Sequence, residues 1–90
     1  MKKYEQSEKI LDKAIKLDPT DFYNFDTKSL LYREWGKYEK ALEINKQMLK
    51  EFPNDEEQTL EHFIETYKKM DNYNMVEEYK EKLRKLKDLK

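Results

Sequence analysis

Cysteine is absent from the 90 residues, glycine and valine occur once each, and proline twice. Without cysteine there is no disulfide, no thiolate metal site and no thiol chemistry, nor any sign of an oxidising compartment. A single glycine cannot supply a glycine-rich phosphate loop or the turns of a multi-stranded β fold. Scarce valine, and no sustained alternation of apolar and polar residues, leave no strand signal. An excess of one charge is also missing: 19 Lys+Arg stand against 20 Asp+Glu, a net charge of -1. Nucleic-acid affinity rests on a basic excess that releases counterions, so no nucleic-acid partner is expected. No window approaches the ~20 apolar residues of a membrane span. The charged start Met1-Lys2-Lys3-Tyr4-Glu5 is not followed by the apolar stretch of a secretory leader. The expectation is a soluble, cytoplasmic protein with no membrane partner.

What is present is charge and aromatic surface. Charged residues make up 43% of the chain and hydrophobic ones 37%. Ile, Leu, Val and Phe together number nineteen, close to the composition at which chains stay unfolded. Seven Tyr, four Met and one Trp add large buriable surface, and the balanced charge removes self-repulsion. One small domain is the reading.

Apolar residues recur at helical spacing throughout. Ile10, Leu11, Ala14, Ile15 and Leu17 form a first stripe, ended at Asp18-Pro19 because a residue before proline leaves the helical region. Thr20 or Asp21 then caps a second segment with Phe22, Phe25, Leu31, Tyr32 and Trp35, which Gly36 stops. A third runs from about Lys37 to Glu51 with Tyr38, Ala41, Leu42, Met48 and Leu49, and ends at Phe52-Pro53. Asn54 or Asp55 is the expected cap of a fourth, which carries Leu60, Phe63, Ile64 and Tyr67 and is broken at Asp71-Asn72. The fifth carries Tyr73, Val76, Tyr79, Leu83 and Leu86. Short connections make consecutive helices antiparallel neighbours.

The segments repeat. Pro19 and Pro53, Tyr4 and Tyr38, Ala14 and Met48, and Ile15 and Leu49 are each 34 residues apart. That period, with two helices per unit, is the tetratricopeptide spacing. Gly36-Lys37-Tyr38-Glu39-Lys40-Ala41-Leu42-Glu43, closed by Phe52-Pro53-Asn54-Asp55, resembles the second helix of a tetratricopeptide repeat. Phe25 and Tyr32 stand where the family has aromatics. The chain departs from the family at Lys28-Ser29, where Leu-Gly is usual, at Asn45, usually aromatic or apolar, and at Asp71, which replaces the glycine of the last unit. The resemblance implies an all-α solenoid of antiparallel helix-turn-helix repeats. It would hold a half repeat at 1–18, a full repeat at 21–53, and a degenerate full repeat with a capping helix at 56–90.

Catalytic and metal chemistry find little support. His62 is the one histidine, and with Glu65 it offers only two ligands on a helix face. Ser7 and Ser29 lack a base partner, and Glu56-Glu57 and Glu77-Glu78 suit helix starts and polar faces. No enzyme activity and no cofactor are expected. From Asn72 on, six positives face four negatives, which reads as a polar capping helix. Trp35, just before the glycine, is expected to pack over the turn between helices.

Members of the family bind peptides or proteins in a groove lined by the first helix of each unit. By that resemblance the lining is Tyr23, Asp26, Thr27, Leu30 and Arg33, then Gln58, Glu61, His62, Glu65 and Lys69. The family's carboxylate clamp for heat-shock chaperones, built from Lys, Asn and Arg, is not matched, since Asp26, Leu30, Glu61 and Glu65 stand there. Residues 56–71 hold two positives and five negatives, so a basic peptide is the better match than an acidic one. The alternative is self-association. The first helix should turn Ile15 and Leu17, helped by Ile10, toward its neighbour and leave Tyr4, Leu11 and Ala14 bare for a homodimer.

Overall fold

The computed structural model describes residues 3–89. They form five helices, α1 (Tyr4–Leu17), α2 (Phe22–Trp35), α3 (Tyr38–Glu51), α4 (Glu56–Lys69) and α5 (Tyr73–Asp88), with a 3₁₀ turn at Pro53–Asp55 and no strand among the described residues. Each helix packs on the next, and α2 also touches α4. The helices make a slab 38 × 29 × 14 Å, the thinnest dimension being that of two helix layers. The architecture is all-α, with helix-turn-helix packing of consecutive helices.

Local chemistry sets the boundaries. The side chain of Asp18, held extended before Pro19, accepts from the Thr20 hydroxyl at 2.7 Å. Asp21 caps α2 by accepting from the Tyr23 amide at 3.0 Å. Gly36 sits at φ 81°, and the Lys37 amide reaches back to the Tyr32 carbonyl at 2.8 Å, closing a left-handed helix end. Asp71 does the same at the end of α4: its φ is 57°, and the Asn72 amide reaches the Tyr67 carbonyl at 3.0 Å. Asn72 then caps α5 through the Met75 amide. The start of α4 differs from expectation. Neither Asn54 nor Asp55 caps it with a side chain; the 3₁₀ turn leads into the helix, and the Thr59 hydroxyl donates to the Asp55 carbonyl.

The apolar core lies in the second half of the chain. Leu42, Phe63, Ile64, Tyr67 and Val76 are buried together, with Leu49, Met70, Met75, Tyr79 and Leu83 around them. Phe63 stacks on Tyr79 at 4.6 Å between ring centres, a spacing at which aromatic pairs add to area burial. The α2–α3 hairpin is closed at its open end by Phe52, whose ring meets Phe22 and Phe25 at 5.4 and 5.2 Å. Between these helices Ser29 and Ala41 are fully buried, and the Ser29 hydroxyl donates to Asn45 Oδ1 at 2.5 Å.

α1 is attached differently, for it has no buried residue. Tyr4 stacks on Trp35 at 5.4 Å and its hydroxyl donates to the Glu34 carbonyl. The Tyr32 hydroxyl donates to Glu8 at 2.5 Å, and Lys28 pairs with Asp12 at 2.5 Å. Burial first, and the Glu8 hydrogen bond second, push the Tyr32 phenol well above its ordinary range. Trp35 stacks against Tyr32 as well, under the Lys37 ammonium 3.8 Å from its ring centre.

This arrangement corrects the expected faces of α1. Tyr4 and Leu11 are not left bare: Tyr4 is bound to α2, and Leu11 is half-buried beside Thr27, Leu30 and Leu31. Ile10 and Leu17, expected to face α2, are 68% and 82% exposed. Ala14 is half-buried and lies on their side, the one member of the expected stripe that borders the open face. The Tyr4–Trp35 stack and the Glu8–Tyr32 bond select the face, through contacts that span thirty-one and twenty-four residues.

The two left-handed helix ends share one backbone hydrogen-bond pattern, which gives a paired test. A Cβ at Gly36 would touch nothing, so Gly36→Ala suffers the backbone strain alone and lowers stability by about 1 kcal/mol. Asp71→Gly relieves the same strain and raises stability by about 0.5 kcal/mol after its added unfolded-state entropy. Thermal unfolding should therefore move the two midpoints in opposite directions.

Candidate functional site

α2 and α4 run side by side on one layer of the slab, and the depression between them is the candidate site. Asp26 and Arg33 lie seven residues apart on α2, hence on one face. Gln58, Glu61, His62 and Glu65 follow three-, one- and three-residue steps on α4. All six line one depression of about 240 Å³. On the same helix Thr59 and Thr66 are buried, their hydroxyls satisfied by carbonyls one turn earlier.

His62 joins the two helices. Its Nε2 is hydrogen-bonded to Asp26, and Arg33 Nη1 lies 3.1 Å from its Nδ1. A guanidinium only donates, so Nδ1 must accept and Nε2 must carry the proton. Arg33 itself is drawn down from its ordinary value by burial, and Glu65, Glu34 and Asp26 oppose that. Three carboxylates, Asp26, Glu61 and Glu65, share the lining with this one guanidinium. With His62 neutral the lining carries a formal charge of −2.

The other expected groove residues separate from these six. Thr27 and Leu30 line a neighbouring depression of about 370 Å³ on the α1–α2 side, together with Tyr4, Ser7, Leu11, Leu31 and Glu34. Leu30 is 42% exposed there. Tyr23 is 70% exposed near the start of α2, and Lys69 is exposed at the end of α4. Neither lines the acidic depression. Sequence reasoning missed the α1–α2 depression because it turned Tyr4 and Leu11 the wrong way. It also missed that His62 has partners, which come from α2, thirty-six and twenty-nine residues upstream.

Among the described residues no group of three or more His, Asp or Glu is placed to hold a metal ion, and no helix is long and apolar enough to cross a membrane. No family model, curated protein or solved structure matches the chain.

The tautomer is measurable. Long-range ¹⁵N–¹H correlation spectra of the neutral ring should show Nε2 protonated and Nδ1 as the bare acceptor. His62→Ala, which leaves Asp26 and Arg33 without their shared partner, should lower stability by about 1–2 kcal/mol. A protonated Nδ1 in the neutral ring would contradict the Arg33 contact.

Proposed function

We propose that the chain is a non-catalytic interaction module, a tetratricopeptide-like helical repeat that takes up an extended, basic peptide segment across the α2–α4 face. The observation that carries this reading is the acidic depression. Its one guanidinium is engaged with His62 and shares the lining with three carboxylates, of which Glu61 and Glu65 are exposed to solvent. A lysine or arginine side chain gains charge-assisted hydrogen bonds there, and an acidic ligand meets like charge. The neighbouring apolar depression that Leu30 lines supports a ligand that places an apolar side chain beside its basic one. The resemblance of Gly36 to Asp55 to a repeat helix, and the helix-turn-helix packing, support the family reading.

Arginine-rich and glutamate-rich peptides of equal length, titrated at low and physiological salt, test the proposal. The basic peptide should bind more tightly, with a preference that shrinks as salt rises. Glu61→Gln with Glu65→Gln should weaken it by roughly threefold to tenfold at low salt, about the effect of losing rim charges. Tighter binding of the acidic peptide would sink the reading.

A further inference from the structure

α1 packs on α2 through the face that carries Tyr4 and Leu11, which leaves Ile10, Ala14 and Leu17 as a stripe on its other side. With Lys9 and Lys13 this stripe frames an apolar depression of about 290 Å³. The geometry points to this face as a docking surface for an amphipathic helix of another protein, one whose apolar stripe is edged by acidic residues.

The chain's own repeat argues for a helix. Ile10 and Ala14 occupy the positions of Ile44 and Met48, 34 residues on. In α3, which lies between α2 and α4, Ile44 is half-buried and Met48 is fully buried. Ile10 and Ala14 therefore stand where α3 is covered by its neighbours, and on α1 they border an open depression that Leu17 extends.

Charge argues for an acidic one. Lys9 and Lys13 stand where α3 has Glu43 and Gln47, so the edge of the stripe has become basic. Neither lysine makes an ion pair among the described residues, whereas Lys28, Lys68 and Lys80 do. A second copy docked through the same face would bring two more lysines to the contact and no acidic residue from the lining to meet them. Stacking end to end fares no better. The apolar Leu86 and Leu89 at the far end are edged by Lys82 and Lys85 and by a single carboxylate, Glu56, so two lysines from each end would share one acidic residue.

The probes are two helical peptides of about four turns, both with leucine at every third or fourth position, one edged by glutamates and the other by lysines. Titrated against the ¹⁵N-labelled chain at low salt, the glutamate peptide should bind about tenfold more tightly or better, and the difference should narrow as salt rises. Its shifts should centre on Ile10, Ala14 and Leu17, with His62 unmoved, which separates this surface from the α2–α4 groove. Leu17→Glu, at a solvent-exposed site, should weaken binding about tenfold with helicity and melting midpoint unchanged. Lys9→Glu with Lys13→Glu should reverse the preference between the peptides. Equal binding of the two peptides, or shifts centred on the groove, would overturn the proposal. So would a dimer seen by light scattering that Leu17→Glu disperses, because the occupant would then be a second copy.

Discussion

The close approach of α2 and α3 is the constraint on which the other helix positions depend. Ser29 and Ala41 are fully buried between them, and small residues there let two helix axes come near enough to exclude water along their length. Gly36 turns the chain at one end and Phe52 closes the other against Phe22 and Phe25. With α3 fixed on one face of α2, two further faces remain. One takes α1, through Trp35, Tyr32 and Lys28; the other, with Asp26 and Arg33, meets α4. The acidic depression exists because α2 presents that last face beside α4's His62.

A polar pair sits inside this contact. Asn45 is fully buried, its Oδ1 accepts from Ser29, and its Nδ2 has no hydrogen-bond partner among the described residues. An unsatisfied buried donor costs about 1–3 kcal/mol. The geometry that Ser29 and Asn45 demand is directional, whereas apolar residues in their places would tolerate sliding of one helix along the other. The pair ties register to a specific bond at a cost in stability, a use of buried polar groups with precedent in coiled coils.

Helix number and boundaries were legible because the terminators are local. Pro19, Gly36, Pro53 and Asp71 each act within a few residues through backbone geometry. The orientation of α1 was not. Its apolar residues Ile10, Leu11, Ala14, Ile15 and Leu17 wrap more than one face, so spacing alone allows two answers. The choice rests on Tyr4 finding Trp35 and Glu8 finding the Tyr32 hydroxyl, contacts thirty-one and twenty-four residues long. The groove divides similarly. Six of its expected lining residues meet in one depression, because their spacing on α2 and α4 is helical and the two helices touch. Thr27 and Leu30 turn to a second depression that exists only because α1 lies where it does. The Asp26–His62–Arg33 link left no signal in spacing, for its members belong to different helices and each residue type is ordinary on a solvated face.

A double-mutant cycle on Ser29 and Asn45 tests the central packing claim most directly. Ser29→Ala strands the whole Asn45 amide in the α2–α3 contact and should lower stability by about 1–3 kcal/mol. Adding Asn45→Leu should recover most of that loss or exceed the parent, because both polar partners are then gone, and the coupling should exceed about 1 kcal/mol. Single and double losses that add to within about 0.5 kcal/mol would mean that Ser29 and Asn45 do not meet, and that α2 and α3 pack in another register.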